Sequence, residues 1–169
     1  METSMGEIRL RPLLKKDAPL MLEWMHDPSI ACYFRFDALK MTLSDCEAYI
    51  EKAQDEKDSV HFAIVDGNDE YLGTISLKNI DREKGEAEYA ISSRKKVHGT
   101  GAAMAATEEI LRIAFYELGL RRVYLNVLKE NARANAFYKK AGFQFDYSEE
   151  NAVKIHGERK DLNWYFMIR

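Results

Sequence analysis

Cysteine is scarce. Cys32 and Cys46 are the only two in 169 residues, too few for a disulfide framework and spaced neither as a zinc pair nor as a redox CxxC. Both read as free thiols, which points to a reducing cytoplasm. Long hydrophobic runs are missing as well: Met1 to Arg11 is polar, and no apolar stretch there suits a signal peptide or a membrane span. Positive charge is not in excess, since the formal net charge is -3, and a nucleic-acid binder would need a basic face to neutralise phosphates. Repeats, low-complexity tracts and Pro/Gly/Ser linkers are absent, so residues 1–169 are expected to form one domain. The four histidines, His26, His61, His98 and His156, are scattered without ligand spacing, and no metal is expected. What is present is the balance of a globular chain, 46% hydrophobic and 31% charged.

Two periodicities alternate along that chain. Ile8 to Leu13 reads as a first strand, and Asp17 can cap a helix to about Met25, with Pro19 tolerated in its first turn. Cys32 to Phe36 is aromatic without clear period, and Ser44-Asp45-Cys46-Glu47 looks like a capping box opening a second helix. His61 to Val65 and Tyr71 to Leu77 suggest a hairpin turning at Gly67-Asn68. Glu86 to Ser92 alternates as a fourth strand, and Ala103, Ala106, Ile110, Ala114 and Leu118 then mark a helix from about Thr100 that Gly119 ends. Val123 to Val127, a helix over about 132–141 closing on Gly142, and strands at Gln144 to Tyr147 and Asn163 to Ile168, with His156-Gly157 between them, complete the series. The order implies an α/β fold, a mixed sheet of about seven strands with helices on both faces.

The turn His98-Gly99-Thr100-Gly101-Ala102-Ala103 lies between the fourth strand and the long helix, where helix N–H groups have no internal partner. Two glycines let a ligand approach the backbone, and successive amides can cradle a pyrophosphate. A Gly-x-Gly pair also occurs in ordinary strand-to-helix turns. A dinucleotide fold would place an acidic residue at the end of the next strand, where Asn126, Val127 and Leu128 stand, and the Lys of a P-loop is missing.

His98-x-x-Gly101-x-Ala103 resembles the pyrophosphate motif of the GNAT superfamily of N-acetyltransferases, Gln or Arg followed by x-x-Gly-x-Gly or Ala, with His98 in the Gln/Arg position. An alternative register, Arg94-x-x-Val97-x-Gly99, restores the arginine and puts valine where the family has glycine. A second run, Asn131-x-x-Ala134-x-x-x-Tyr138-x-x-x-Gly142-Phe143, is similar to the family pattern Asn-x-x-Ala-x-x-x-Tyr-x-x-x-Gly-Phe. The spermidine and ribosomal-protein N-terminal acetyltransferases are the members most alike. The resemblance implies a GNAT fold splayed between the fourth and fifth strands, with acetyl-CoA as co-substrate. It assigns the CoA contacts to Ile91, Ser92, Ser93, His98, Gly99, Thr100, Gly101, Ala102, Ala103 and Asn131. Arg94, Lys95 and Lys96 could add charge for the phosphates or be no more than a solvated loop.

A departing CoA thiolate is stabilised by an acid that can hand it a proton, and a tyrosine of pKa near 10 is close in basicity to a thiol. Tyr138 is the candidate acid, although Ala134, Phe137, Tyr138 and Ala141 equally make the stripe of a core-facing helix. Asn131 serves either as helix N-cap or, by resemblance, as a CoA contact. An ammonium acceptor must lose a proton before attack, and Glu88 is the candidate base, with a solvated strand face as its other reading. Neither cysteine has an evident histidine partner, so direct transfer is expected rather than an acetyl-enzyme.

The acceptor site is expected at Cys32 to Phe36 and at the turn between the last two strands. Asp37, Asp45 and Glu47 tilt the expectation towards a cationic amine. The expected partner is a small-molecule or peptide amine, whether polyamine, protein N-terminus or amino sugar, with a homodimer left open and neither nucleic acid nor membrane involved. The competing class is a non-catalytic acyl-CoA sensor on the same fold.

Overall fold

A computed structural model describes residues 2–169. Its centre is a seven-stranded sheet of β1 (Arg9–Pro12), β2 (Val60–Val65), β3 (Tyr71–Asp81), β4 (Glu86–Ser93), β5 (Arg122–Leu128), β6 (Gln144–Ile155) and β7 (Glu158–Ile168), ordered β1-β2-β3-β4-β5-β7-β6. Every neighbouring pair is antiparallel except β4 and β5, which run parallel. A short ribbon, Glu2–Thr3 with Gly6–Glu7, precedes β1.

Among the described residues five α-helices cover the sheet: α1 (Ala18–Met25), α2 (Pro28–Ala31), α3 (Leu43–Ala53), α4 (Ala102–Arg112) and α5 (Ala132–Lys140). Among the described residues, no helix is long and apolar enough to cross a membrane. Alternation along the strands divides the apolar side chains between two faces. One core joins α4 and α5 to Ile75, Leu77, Tyr89, Val123 and Val127; a second joins α1, α2 and α3 to Ala63, Val65 and Tyr71. A mixed sheet of seven strands with helices on both faces agrees with the sequence expectation.

Three local differences have physical causes. The cap of α3 is Thr42, two residues before the expected Ser44: Thr42 Oγ1 accepts from Asp45 N–H at 3.1 Å while Asp45 Oδ2 accepts from Thr42 N–H at 2.9 Å. That reciprocal pair satisfies two donors at once. The helix after the glycine turn changes to a π-type turn at Ile113–Glu117, with Leu118 N–H reaching Ile113 C=O at 2.9 Å, before Gly119 ends it at φ 68°. The last hairpin is far longer than expected, because β6 is the sheet edge. Its residues 144–151 are all exposed, so one buried face never imposes alternation.

Candidate active site

β4 and β5 are paired only where Glu86, Ala87 and Glu88 face Arg122, Val123 and Tyr124. Beyond Glu88 the strands part, which leaves the β5-facing edge of β4 free of ladder hydrogen bonds. The expected splay is there, between the fourth and fifth strands. It opens into a cavity of about 440 Å³ whose lining comes from both sides of the sheet. Val127 belongs to the α4/α5 core, whereas Leu128 packs with Ile155 and Leu162 in a separate cluster on the other side. The cavity therefore runs through the sheet at the splay.

The glycine turn forms one end. Gly99 and Gly101 have φ of 77° and 87°, a left-handed conformation that glycine adopts cheaply, and Gly101 is the N-cap of α4. Among the described residues the N–H groups of Gly99, Gly101, Ala103 and Met104 have no hydrogen-bond acceptor, and all four residues line the cavity. This is a set of donors suited to phosphate oxygens. Thr100 and Ala102 lie off the cavity wall: the Thr100 hydroxyl donates to Val97 C=O at 2.6 Å and accepts from Ala102 N–H at 3.2 Å, and Ala102 is fully buried. Their part is to shape the turn.

His98, Arg133 and Lys140 also line the cavity. Burial lowers the His98 pKa, and the nearby Arg133 charge lowers it further, so the ring is neutral at neutral pH and offers one N–H. Arg94 serves the fold instead. It is buried and binds Glu23 Oε2 at 2.7 Å, Glu70 Oε2 at 2.8 Å and Tyr71 C=O at 2.9 Å, while Lys96 meets Glu70 at 2.7 Å. The alternative motif register thus loses its arginine to a structural ion pair. Cavity, free amides and basic rim together fit the diphosphate and extended arm of CoA.

Gly101 provides a test of the turn. A Cβ at this residue would meet nothing closer than Thr3 at 3.7 Å, so Gly101→Ala should fold with a strain of about 1–2 kcal/mol. Relaxing that strain re-aims the amides, and CoA affinity measured by calorimetry is expected to fall about tenfold, the equivalent of roughly 1.4 kcal/mol.

Tyr138, on α5, forms the cavity wall where the splay begins to widen. It is 8% exposed and is held edge-on by Tyr89 and Phe143, at centroid distances of 5.8 and 6.0 Å. Among the described residues no buried side-chain polar atom lacks a partner, and the Tyr138 hydroxyl has none, so that hydroxyl opens onto the cavity. Burial raises its pKa to about 12, with Arg133 pulling in the opposite direction. Neighbouring Tyr89 is committed elsewhere, sharing a 2.8 Å hydrogen bond with Thr107. Asn131 both caps α5, accepting from Ala134 N–H at 3.2 Å, and lines the cavity with its amide nitrogen uncommitted.

Ile91, Ser92 and Ser93 line the cavity on the free edge of β4. Glu88 does not reach the lining. It sits at the last paired position of that strand, where Asn79 Nδ2 donates to it at 3.1 Å and Lys78 stands 3.7 Å away. Tyr33, Phe34 and Arg35 close the opposite side, and Arg35 Nη2 donates across to Asn126 Oδ1 at 3.1 Å. Phe36 stays exposed outside it, its ring tilted against Phe34, and Cys46 is buried against Met25 away from it. Asn135, which the motif passes over, is buried and joins the end of β5, the start of α5 and β7. Its only sequence signal is a polar residue on the inner stripe of an otherwise apolar helix face.

Comparisons with known proteins agree with this geometry. The profile described as acetyltransferase (GNAT) domain matches residues 7–144. Spermidine N(1)-acetyltransferase of Escherichia coli K12 is 25% identical over 158 residues, covering 94% of this chain and 84% of that protein. The spermidine N(1)-acetyltransferase of Vibrio cholerae is 24% identical over 164 residues, covering 97% and 88%. Among solved structures, V. cholerae spermidine N-acetyltransferase in complex with CoA and spermine superposes at TM-score 0.85 with 22% identity and 95% of each chain covered. Mycobacterium smegmatis RimJ in complex with CoA-disulfide superposes at 0.89 with 17% identity, covering 99% of this chain and 84% of that one; at such identities the likeness concerns the fold. A profile spanning most of the chain, and a sheet parted where that fold parts, place this chain in the GNAT family of acetyl-CoA-dependent N-acetyltransferases.

Proposed function

We propose that the chain transfers acetyl from acetyl-CoA directly to a primary amine that enters the cavity from the side opposite the cofactor, with Tyr138 as the acid. The observation that carries this reading is the shared cavity: the unpaired amides of the glycine turn and the free Tyr138 hydroxyl open onto one passage through the sheet. CoA would be held by Gly99, Gly101 and Ala103 at its diphosphate, by His98 and Asn131 along its arm, and by Ile91, Ser92 and Ser93 at its pantetheine. A thioester beside the free β4 edge would find backbone donors for the oxyanion that develops as the amine attacks. The neutral amine nitrogen forms its bond to the acetyl carbon and gives up one N–H proton to water, the carbon–sulfur bond breaks, and the thiolate takes the Tyr138 proton, which water then returns to the tyrosine. Much of the rate then comes from orientation.

Glu88 enters as a base acting through water. At a strand rise of about 3.3 Å per residue it lies about 10 Å along the chain from Ile91, too far for direct contact with an amine held there. Glu88→Gln is therefore expected to lower kcat/KM about tenfold, less than the roughly 10²–10⁴-fold of a base in direct contact. An unaltered kcat/KM would remove Glu88 from the mechanism.

Relatives named for spermidine put polyamines among the acceptors to assay, together with protein N-termini and amino sugars. Residence in the cytoplasm belongs to the same proposal, as the setting for acetyl-CoA and two free thiols. The deciding experiment follows thiol release from acetyl-CoA over that panel of amines. Tight CoA binding with no release on any amine would reject transfer in favour of an acyl-CoA sensor.

A further inference from the structure

The two ends of the cavity differ in charge and polarity. On the acceptor side the walls are Ile30, Phe34, Leu128 and Leu162, interrupted by Ser92 and by the pair Arg35 and Asn126. Among the described residues no aspartate or glutamate lines the cavity. The acids that could have served a cation are occupied elsewhere: Asp45 caps α3, Glu47 meets Lys15 at 3.6 Å, Asp37 meets Lys40 at 3.5 Å, and Glu88 stays with Lys78 and Asn79. A polyamine held here would bring several ammonium groups into a passage with no anion to replace their water and with the Arg35 guanidinium facing them. Burying unpaired charge is costly, and like charges raise that cost.

Resting on the acetyl-transfer reading, we infer that the acceptor is an amine bearing a carboxylate a few bonds from its nitrogen and an apolar substituent, as in an apolar α-amino acid, and that Arg35 is the residue that selects it. Arg35 uses only Nη2 on Asn126, which leaves the rest of its fork for two parallel bonds to a carboxylate. Asn126 spends its oxygen on Arg35 and keeps its amide nitrogen as a further donor. The aliphatic and aromatic walls suit the remaining substituent. The guanidinium would also favour the neutral form of the nearby amine, the form that attacks.

Because Arg35 is exposed and stands on a loop across the sheet from the glycine turn, its replacement is expected to leave CoA affinity intact, and that affinity serves as the folding control. The experiment compares leucine, leucinamide and spermidine as acceptors, reading kcat/KM from thiol release for the wild-type protein, Arg35→Gln and Arg35→Glu. The wild type should prefer leucine to leucinamide by about tenfold or more, the worth of roughly one charge-assisted pair of bonds. Arg35→Gln should bring the ratio near one, chiefly through KM, and Arg35→Glu should shift preference towards spermidine. The inference is overturned if the wild type uses leucinamide or spermidine as well as leucine, or if the preference survives both substitutions. Failure of every amine to release thiol would instead sink the acetyl-transfer reading beneath it.

Discussion

Replacing Tyr138 with phenylalanine should lower kcat by about 10²–10⁴-fold, the usual span for a positioned proton donor, while CoA affinity changes little. The ring keeps its edge contacts with Tyr89 and Phe143 and its tilted contact with Tyr165, and the lost hydroxyl has no hydrogen-bond partner among the described residues, so the fold should not suffer. A second readout reports the burial of this hydroxyl. Burial raises its pKa to about 12 from the ordinary 10, so ionisation costs stability only at high pH. The group is neutral in both folded and unfolded chains below pH 10; as pH rises from 10 through 12 the unfolded chain releases its proton first, and up to about 2–3 kcal/mol of stability is lost at this one residue. Tyr138→Phe should therefore lose less thermal stability than wild type between neutral pH and about pH 11, in line with the removal of that linkage. The same raised pKa makes Tyr138 a reluctant acid, one that hydrogen-bonds the sulfur first and yields its proton late, when the thiolate is nearly free. Full kcat in the phenylalanine variant would end its assignment as the acid.

Periodicity and turn chemistry made much of this architecture readable. Alternation at Glu86 to Ser92 and the apolar series Ala103 to Leu118 each reflect an element with one buried face, and Gly119 and Gly142 stop their helices at φ of 68° and 101°. The signal failed where burial was not one-sided. β6 is exposed along Gln144 to Asn151 and bulged between Phe145 and Tyr147 and between Glu149 and Val153, so only its first residues looked like a strand. α2 was passed over although Asp27 and Pro28 form a cap and first turn, with Asp27 Oδ1 accepting from Ser29 N–H at 3.0 Å, because four residues are too short to show a period. The glycine turn and Tyr138 were legible because their spacing is local. The choice between core tyrosine and cavity tyrosine was not, since both need the same helical stripe; only the splay of β4 from β5 distinguishes them. The surroundings of the acidic residues were hidden for a related reason: Asp37, Asp45 and Glu47 are near the acceptor loop in sequence, and each meets a cap or an ion-pair partner in space.

The largest loss of stability is expected at Asn135. Its amide nitrogen donates to Leu128 C=O at 3.0 Å and Asn131 C=O at 2.8 Å, and its oxygen accepts from Asn163 Nδ2 at 2.9 Å and the Tyr165 hydroxyl at 2.7 Å. Asn135→Ala leaves the buried Tyr165 hydroxyl and Asn163 Nδ2 without an acceptor, each worth roughly 1–3 kcal/mol if water cannot reach it, while the Leu128 and Asn131 carbonyls lose one of two donors and keep Asn131 N–H and Asn135 N–H at 3.0 Å. With partial relaxation the expected cost is about 3–4 kcal/mol, or roughly 6–16 °C in Tm for a chain of this size. Asn135→Asp should do no better, because its carboxylate keeps the two donors but faces the two carbonyls with nothing to give them. The damage should also be directional. Leu128 ends β5 and Asn131 begins α5, and both line the cavity, so loosening their tie should weaken CoA binding even at temperatures where the chain remains folded. A calorimetric Kd for CoA measured well below Tm distinguishes that outcome from simple global destabilisation. If affinity is unchanged while Tm falls, Asn135 only holds the fold together; if both fall, the knot it makes between β5, α5 and β7 also keeps the splay open at the width the cofactor requires.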